Sequence, residues 1–65
     1  MCQATVYLVH DGQEEEIMKD VILLESADEG VRLSTFFEAP QTVRARIQRV
    51  DLLKHTVMLV AEQEE

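Results

Sequence analysis

An all-β domain is what this sequence predicts, on three observations. Stretches of β-branched, apolar and aromatic residues alternate with polar ones at period two. Turn residues separate these stretches at intervals of about ten residues. No segment shows the apolar repeat of about 3.6 residues that marks an amphipathic helix. A chain of 65 residues has room for one domain, residues 1–65, with one thin core. The expected architecture is a small six-stranded barrel or a strongly bent antiparallel meander.

The first strand is Ala4-Thr5-Val6-Tyr7-Leu8-Val9, with Ala4, Val6 and Leu8 on one face. His10-Asp11-Gly12 follows. An Asp-Gly step favours a tight hairpin because both residues tolerate the positive φ that such a turn requires. The second strand is expected from Gln13 to about Met18, and Lys19-Asp20 is read as a short connection. Within that strand, Glu14, Glu15 and Glu16 point alternately to opposite faces, so they cannot converge on one cation and are expected to form a solvated edge. Val21-Ile22-Leu23-Leu24-Glu25 reads as a third strand, apolar enough to be largely buried.

Ala27-Asp28-Glu29-Gly30 is the next turn. A half-buried fourth strand then alternates Val31, Leu33 and Thr35 with Arg32, Ser34 and Phe36, and the Glu38-Ala39-Pro40 step ends it, because Pro cannot donate to a central ladder. The fifth strand is expected from Thr42 to about Arg49, with Val43, Ala45 and Ile47 inward and Thr42, Arg44, Arg46 and Gln48 outward. Val50 to His55 form a turn with two large apolar residues, Leu52 and Leu53. It leads into a sixth strand from Thr56 to about Ala61, in which Val57 and Leu59 oppose Met58 and Val60. The tail, residues 62–65, is expected to fray.

Charge narrows the choice of partners. Thirteen Asp and Glu face six Lys and Arg, a formal net charge of −7. Such a field repels nucleic acid and favours cations or basic partners. Arg44, Arg46 and Arg49 form the one local basic cluster, and cross-strand pairing with the abundant Glu residues is its expected role. Three aromatics, Tyr7, Phe36 and Phe37, and no Trp leave little material for stacking bases. Neither a membrane-spanning apolar run nor a secretory leader is read at the start, so the expected compartment is the cytoplasm.

The single cysteine, Cys2, rules out an intrachain disulfide. Its thiol stands beside the α-amine and the first backbone amides, and together these form a potential chelate. Thiolate is a soft ligand suited to nickel, copper(I) or zinc, and sulfur with amide nitrogens favours square-planar nickel(II). The bland alternative is a small buried hydrophobe. His10 and His55 each sit beside a turn and lack metal-ligand spacing relative to each other or to Cys2. No nucleophile with a recognisable base, acid and oxyanion-hole motif is present, so no enzyme activity is expected.

The opening Met1-Cys2-x-Ala4-x-Val6-Tyr7-Leu8, the stretch Glu16-Ile17-Met18-Lys19-Asp20-Val21, and the run from Val43 to Ile47 with Val50 to His55 together resemble the CooT family of small nickel-binding proteins. That resemblance spans nearly the whole chain. It implies an SH3-like barrel and a homodimer. It further implies nickel(II), Ni(II), bound through Cys2 near the dimer interface, in aid of nickel insertion into carbon monoxide dehydrogenase or work with its maturation proteins. Family members have also been labelled as RNA-binding, which the charge balance opposes. A small RNA-binding module and a metal-free protein interaction module are the competing readings. The 46% of hydrophobic residues in so short a chain independently favours a homodimer, because one small barrel hides too little of them.

Overall fold

The structure, a computed structural model, describes residues 3–62. Seven strands form in chain order: β1 (Ala4–His10), β2 (Gln13–Val21), β3 (Leu23–Ala27), β4 (Gly30–Ser34), β5 (Gln41–Val43), β6 (Ala45–Asp51) and β7 (Thr56–Ala61). No helix occurs among the described residues. The strands build two sheets, one in the order β2-β1-β7-β6 and one in the order β3-β4-β5. The all-β prediction holds in its bent form, and the two sheets stack without closing into a barrel.

The first hairpin forms as its sequence dictates. Asp11 (φ 54°) and Gly12 (φ 79°) both take positive φ, the signature of the tight turn that matches strand twist. β1 then pairs antiparallel with β2, His10 opposite Gln13 and Ala4 opposite Val21. On its other side β1 pairs parallel with β7, from Thr5 opposite Thr56 to Val9 opposite Val60. The two strands that come from opposite ends of the chain thus make the centre of the larger sheet.

The core lies between the sheets. Val6, Val21, Ala45, Val57 and Leu59 from the larger sheet meet Val31 and Leu33 from the smaller one, with Leu24 and Val43 packed beside them. Leu33, Leu59 and Val6 are the largest side chains that are fully enclosed. A molecule of 39 × 24 × 15 Å is barely two sheets thick, since stacked sheets alone sit about 10 Å apart.

Two corners explain where the strand pattern departs from expectation. β2 runs on through Lys19 and Asp20 to Val21, with Asp20 at φ 59° inside a register shift against β1. The chain then changes sheet at Ile22, whose N–H donates to the Ser34 carbonyl at 2.9 Å. The expected third strand is therefore divided. Val21 is core in the larger sheet, while Ile22 and Leu23 are exposed at the edge of the smaller one. The expected fifth strand breaks in the same way at Arg44, which bends the chain out of the smaller sheet (β5) and into the larger (β6). Sandwiches turn such corners with strands that switch sheets. Past this corner Ala45 is buried, as expected. Ile47, expected inward, is 44% exposed, and Val50 is 49% exposed, because three short strands cover only part of the larger sheet.

The connection from β6 to β7 is held by Asp51, whose Oδ1 accepts the Lys54 N–H at 3.0 Å, and by His55 at φ 55°. It leaves Leu52 and Leu53 at 80% and 89% exposure.

Candidate metal centre

Cys2, the sequence-derived metal ligand, lies outside the described residues. What the structure gives is the ground it stands on. β1 is an interior strand, flanked by β2 and β7, so the start of β1 lies inside the larger sheet and not at a free edge. The anchoring contact there is Thr5 N–H to the His55 carbonyl at 2.9 Å. Gln3, next to Cys2, is half-buried.

The two histidines occupy opposite ends of β1. His10 ends the strand, whereas His55 flanks its start through Thr5. Five residues of strand separate these ends by roughly 16 Å, too far for one ion to bind both imidazoles. His10 Nδ1 sits 3.3 Å from Asp11 Oδ2, an exposed contact within its own turn. Among the described residues no three His, Cys, Asp or Glu side chains group where they could hold a metal ion. The ladder places Glu14 opposite Val9, Glu15 opposite Leu8 and Glu16 opposite Tyr7, so the middle glutamate faces away from its neighbours and all three are exposed.

Several depressions lie on the surface of the described residues. One of about 350 Å³, between β2 and the segment after β4, is lined by Lys19, Asp20, Phe37 and Glu38 among others. Thr35 at its wall accepts the N–H groups of Phe37 and Glu38 at 3.3 and 3.2 Å, which occupies its hydroxyl in shaping the loop. Another, of about 380 Å³, lies at the first hairpin against His10, Asp11 and Glu62.

The basic cluster is arranged differently from expectation. Arg44 sits in the bend between β5 and β6, not on the face that carries Arg46. A register shift between Ile47 and Arg49 inserts an extra residue, Gln48, and turns Arg49 onto the face of Arg46. The ladder partners of Arg46 and Arg49 are Val60 and Met58, not glutamates. An ion pair that crosses strands joins Arg32 Nε to Glu25 Oε1 at 3.0 Å in the smaller sheet.

No helix among the described residues is long and apolar enough to cross a membrane. No curated protein matches the chain. Among solved structures, a crystal structure described as a CooT candidate from Carboxydothermus hydrogenoformans is similar, with a TM-score of 0.84 and 29% sequence identity; the match covers 95% of this chain and 100% of that one. The profile of the family described as "CO dehydrogenase accessory protein CooT" matches residues 1–60, which include Cys2. With nearly its whole length and its fold in agreement, the chain belongs to the CooT family of accessory proteins.

Proposed function

We propose that this protein is a nickel-binding accessory protein, or metallochaperone, that works as a homodimer and holds Ni(II) through the Cys2 thiolate. Its cargo would go to carbon monoxide dehydrogenase or to the proteins that mature it. The observation that carries the reading is the family match over residues 1–60, a span that includes Cys2, the one cysteine in the chain.

A carrier must release its metal, so few ligands near a chain terminus suit the task better than a closed cage of four. Two copies of Cys2 brought together at a dimer seam would supply two thiolates where one chain supplies one. The surface favours pairing of chains. Ile22, Leu23, Phe36, Phe37, Ile47, Val50, Leu52 and Leu53 are all large apolar side chains left exposed in the single chain. The RNA-binding reading finds Arg46 and Arg49 on a face that also carries Glu14 and Glu16, within a chain of net charge −7.

Calorimetric titration of Ni(II) into the wild-type protein and into Cys2→Ser tests the proposal. Stoichiometric binding that disappears in Cys2→Ser is the expected result. Equal affinity in both proteins would remove Cys2 from the mechanism.

A further inference from the structure

The smaller sheet has an edge that the described residues leave unguarded. β3 pairs with β4 alone, so its other side has no strand partner among them. An unpaired edge is a template for a further strand, and proteins usually blunt it with charge, proline or a bulge. Both edges of the larger sheet are blunted in this way. β2 carries Glu14, Glu15 and Glu16, and β6 carries Arg46 and the bulge at Gln48. The opposite edge of the smaller sheet, β5, is only three residues long. β3, Leu23-Leu24-Glu25-Ser26-Ala27, holds neither proline nor lysine, and its one charge is drawn across to Arg32 on β4.

The register identifies the free backbone groups. Ala27 and Gly30 enclose a two-residue turn, so they exchange both backbone bonds; alternation then turns Glu25 and Leu23 toward β4 and leaves the N–H and C=O of Leu24 and Ser26 turned away from it. The ground beside that edge is apolar. Ile47 and Val50 pair with the core residues Leu59 and Val57, so they lie on the inner face of the larger sheet, yet both are exposed. The smaller sheet crosses β6 strand by strand. β5 leads into Ala45, Gly30 of β4 abuts Val43, and Ser26, Ala27 and Asp28 share a depression of about 220 Å³ with Ala45, Arg46 and Ile47. A fourth strand beside β3 would sit one spacing further along, about 4.8 Å, over Ile47 and Val50. Asp28 and Glu29 are exposed at the end of the same edge.

We infer that β3 receives an extended segment of a partner protein as a fourth strand of the smaller sheet. This needs neither nickel nor the pairing of two chains. Main-chain bonds to Leu24 and Ser26 hold the segment, and alternate side chains rest on Ile47 and Val50, the usual division of labour in strand addition. A helix has no free backbone groups along its length to offer such an edge. The chemistry of the segment follows from the site. It lacks proline, because each of its residues facing β3 must donate. It is apolar at every second residue, on the side turned to the larger sheet. It carries a lysine or arginine where it passes Asp28 and Glu29, in keeping with a chain of net charge −7.

Amide hydrogen exchange read by NMR on the full chain tests this. The probe is a capped heptapeptide, lysine-valine-threonine-valine-threonine-valine-lysine, and its control has proline in place of the central valine. In the protein alone the amides of Leu24 and Ser26 should exchange fast and that of Glu25 slowly. The peptide should slow the first two roughly 10-fold or more, whereas the proline control leaves them unchanged. Ser26→Pro removes a donor that the fold itself does not use; it should keep the wild-type circular dichroism and bind the peptide roughly 10-fold more weakly. Ile47→Ser changes an exposed side chain away from the edge and should also weaken binding. Failure of the peptide to bind, shifts confined to other strands, or binding that Ser26→Pro and Ile47→Ser both leave intact would overturn the inference. Slow exchange of Leu24 and Ser26 in the protein alone would overturn it too, since a second copy of the chain would then hold the edge.

Discussion

Gly30 and Gly12 offer a controlled comparison of two physical costs, because both have positive φ and only one is crowded. Gly30, at the start of β4, has φ 150°, and a Cβ built there would run into the carbonyl oxygen of Val43 on the neighbouring β5. Gly12 has φ 79° with nothing within 4 Å of its Cβ position. An alanine at either site meets a backbone strain of about 1–3 kcal/mol. At Gly30 it also forces β4 and β5 apart, an overpacking cost of about 1–3 kcal/mol more. Gly30→Ala should therefore destabilise by roughly 2–6 kcal/mol and Gly12→Ala by roughly 1–3 kcal/mol. A domain of this size has a total stability of about 3–10 kcal/mol, so the first change takes a large share of it. Urea unfolding at matched protein concentration reads the difference. With a slope near ~1 kcal/mol/M, the midpoint should fall by about 2–6 M for Gly30→Ala and by about 1–3 M for Gly12→Ala, the first the larger. Equal shifts would refute the claim that the Val43 carbonyl closes the space beside Gly30.

Two further outcomes follow from the core and from the proposed ligand. Leu59 is fully enclosed on a central strand, so Leu59→Ala should cost about 2–5 kcal/mol, visible as a lowered urea midpoint with little change in slope. Nickel affinity should fall as pH is lowered from about 8.5 to 6, because a free thiol near pKa ~8.5 must give up its proton to bind metal. Titrations across that range should show acid release, and an affinity flat with pH would assign the metal to groups already deprotonated, such as the carboxylates.

Local chemistry was legible wherever a few adjacent residues decide the outcome. The alternation of Ala4, Val6 and Leu8 placed β1 and its core face, and Asp11-Gly12 placed the first turn. Non-local pairing was not legible. Nothing in the sequence of β1 or β7 announces that they pair parallel, since partners more than forty residues apart are chosen by the whole fold. The corners at Ile22 and Arg44 were also invisible, because neither Val21 to Glu25 nor Thr42 to Arg49 contains a Gly, Pro or other turn residue to mark them. Val21-Ile22-Leu23 therefore looked like one buried strand, and Thr42 to Arg49 like another. The bulge at Gln48 has the same character: one extra residue, without a glycine to mark it, reversed the face of Arg49. Cys2 was singled out by its place in the chain and by family resemblance rather than by geometry.

The central claim is that nickel is held by the Cys2 sulfur, and nickel K-edge X-ray absorption of the loaded protein tests it most directly. The account predicts sulfur in the first coordination shell of the wild type and its loss in Cys2→Ser. A wild-type shell of nitrogen and oxygen alone would contradict it.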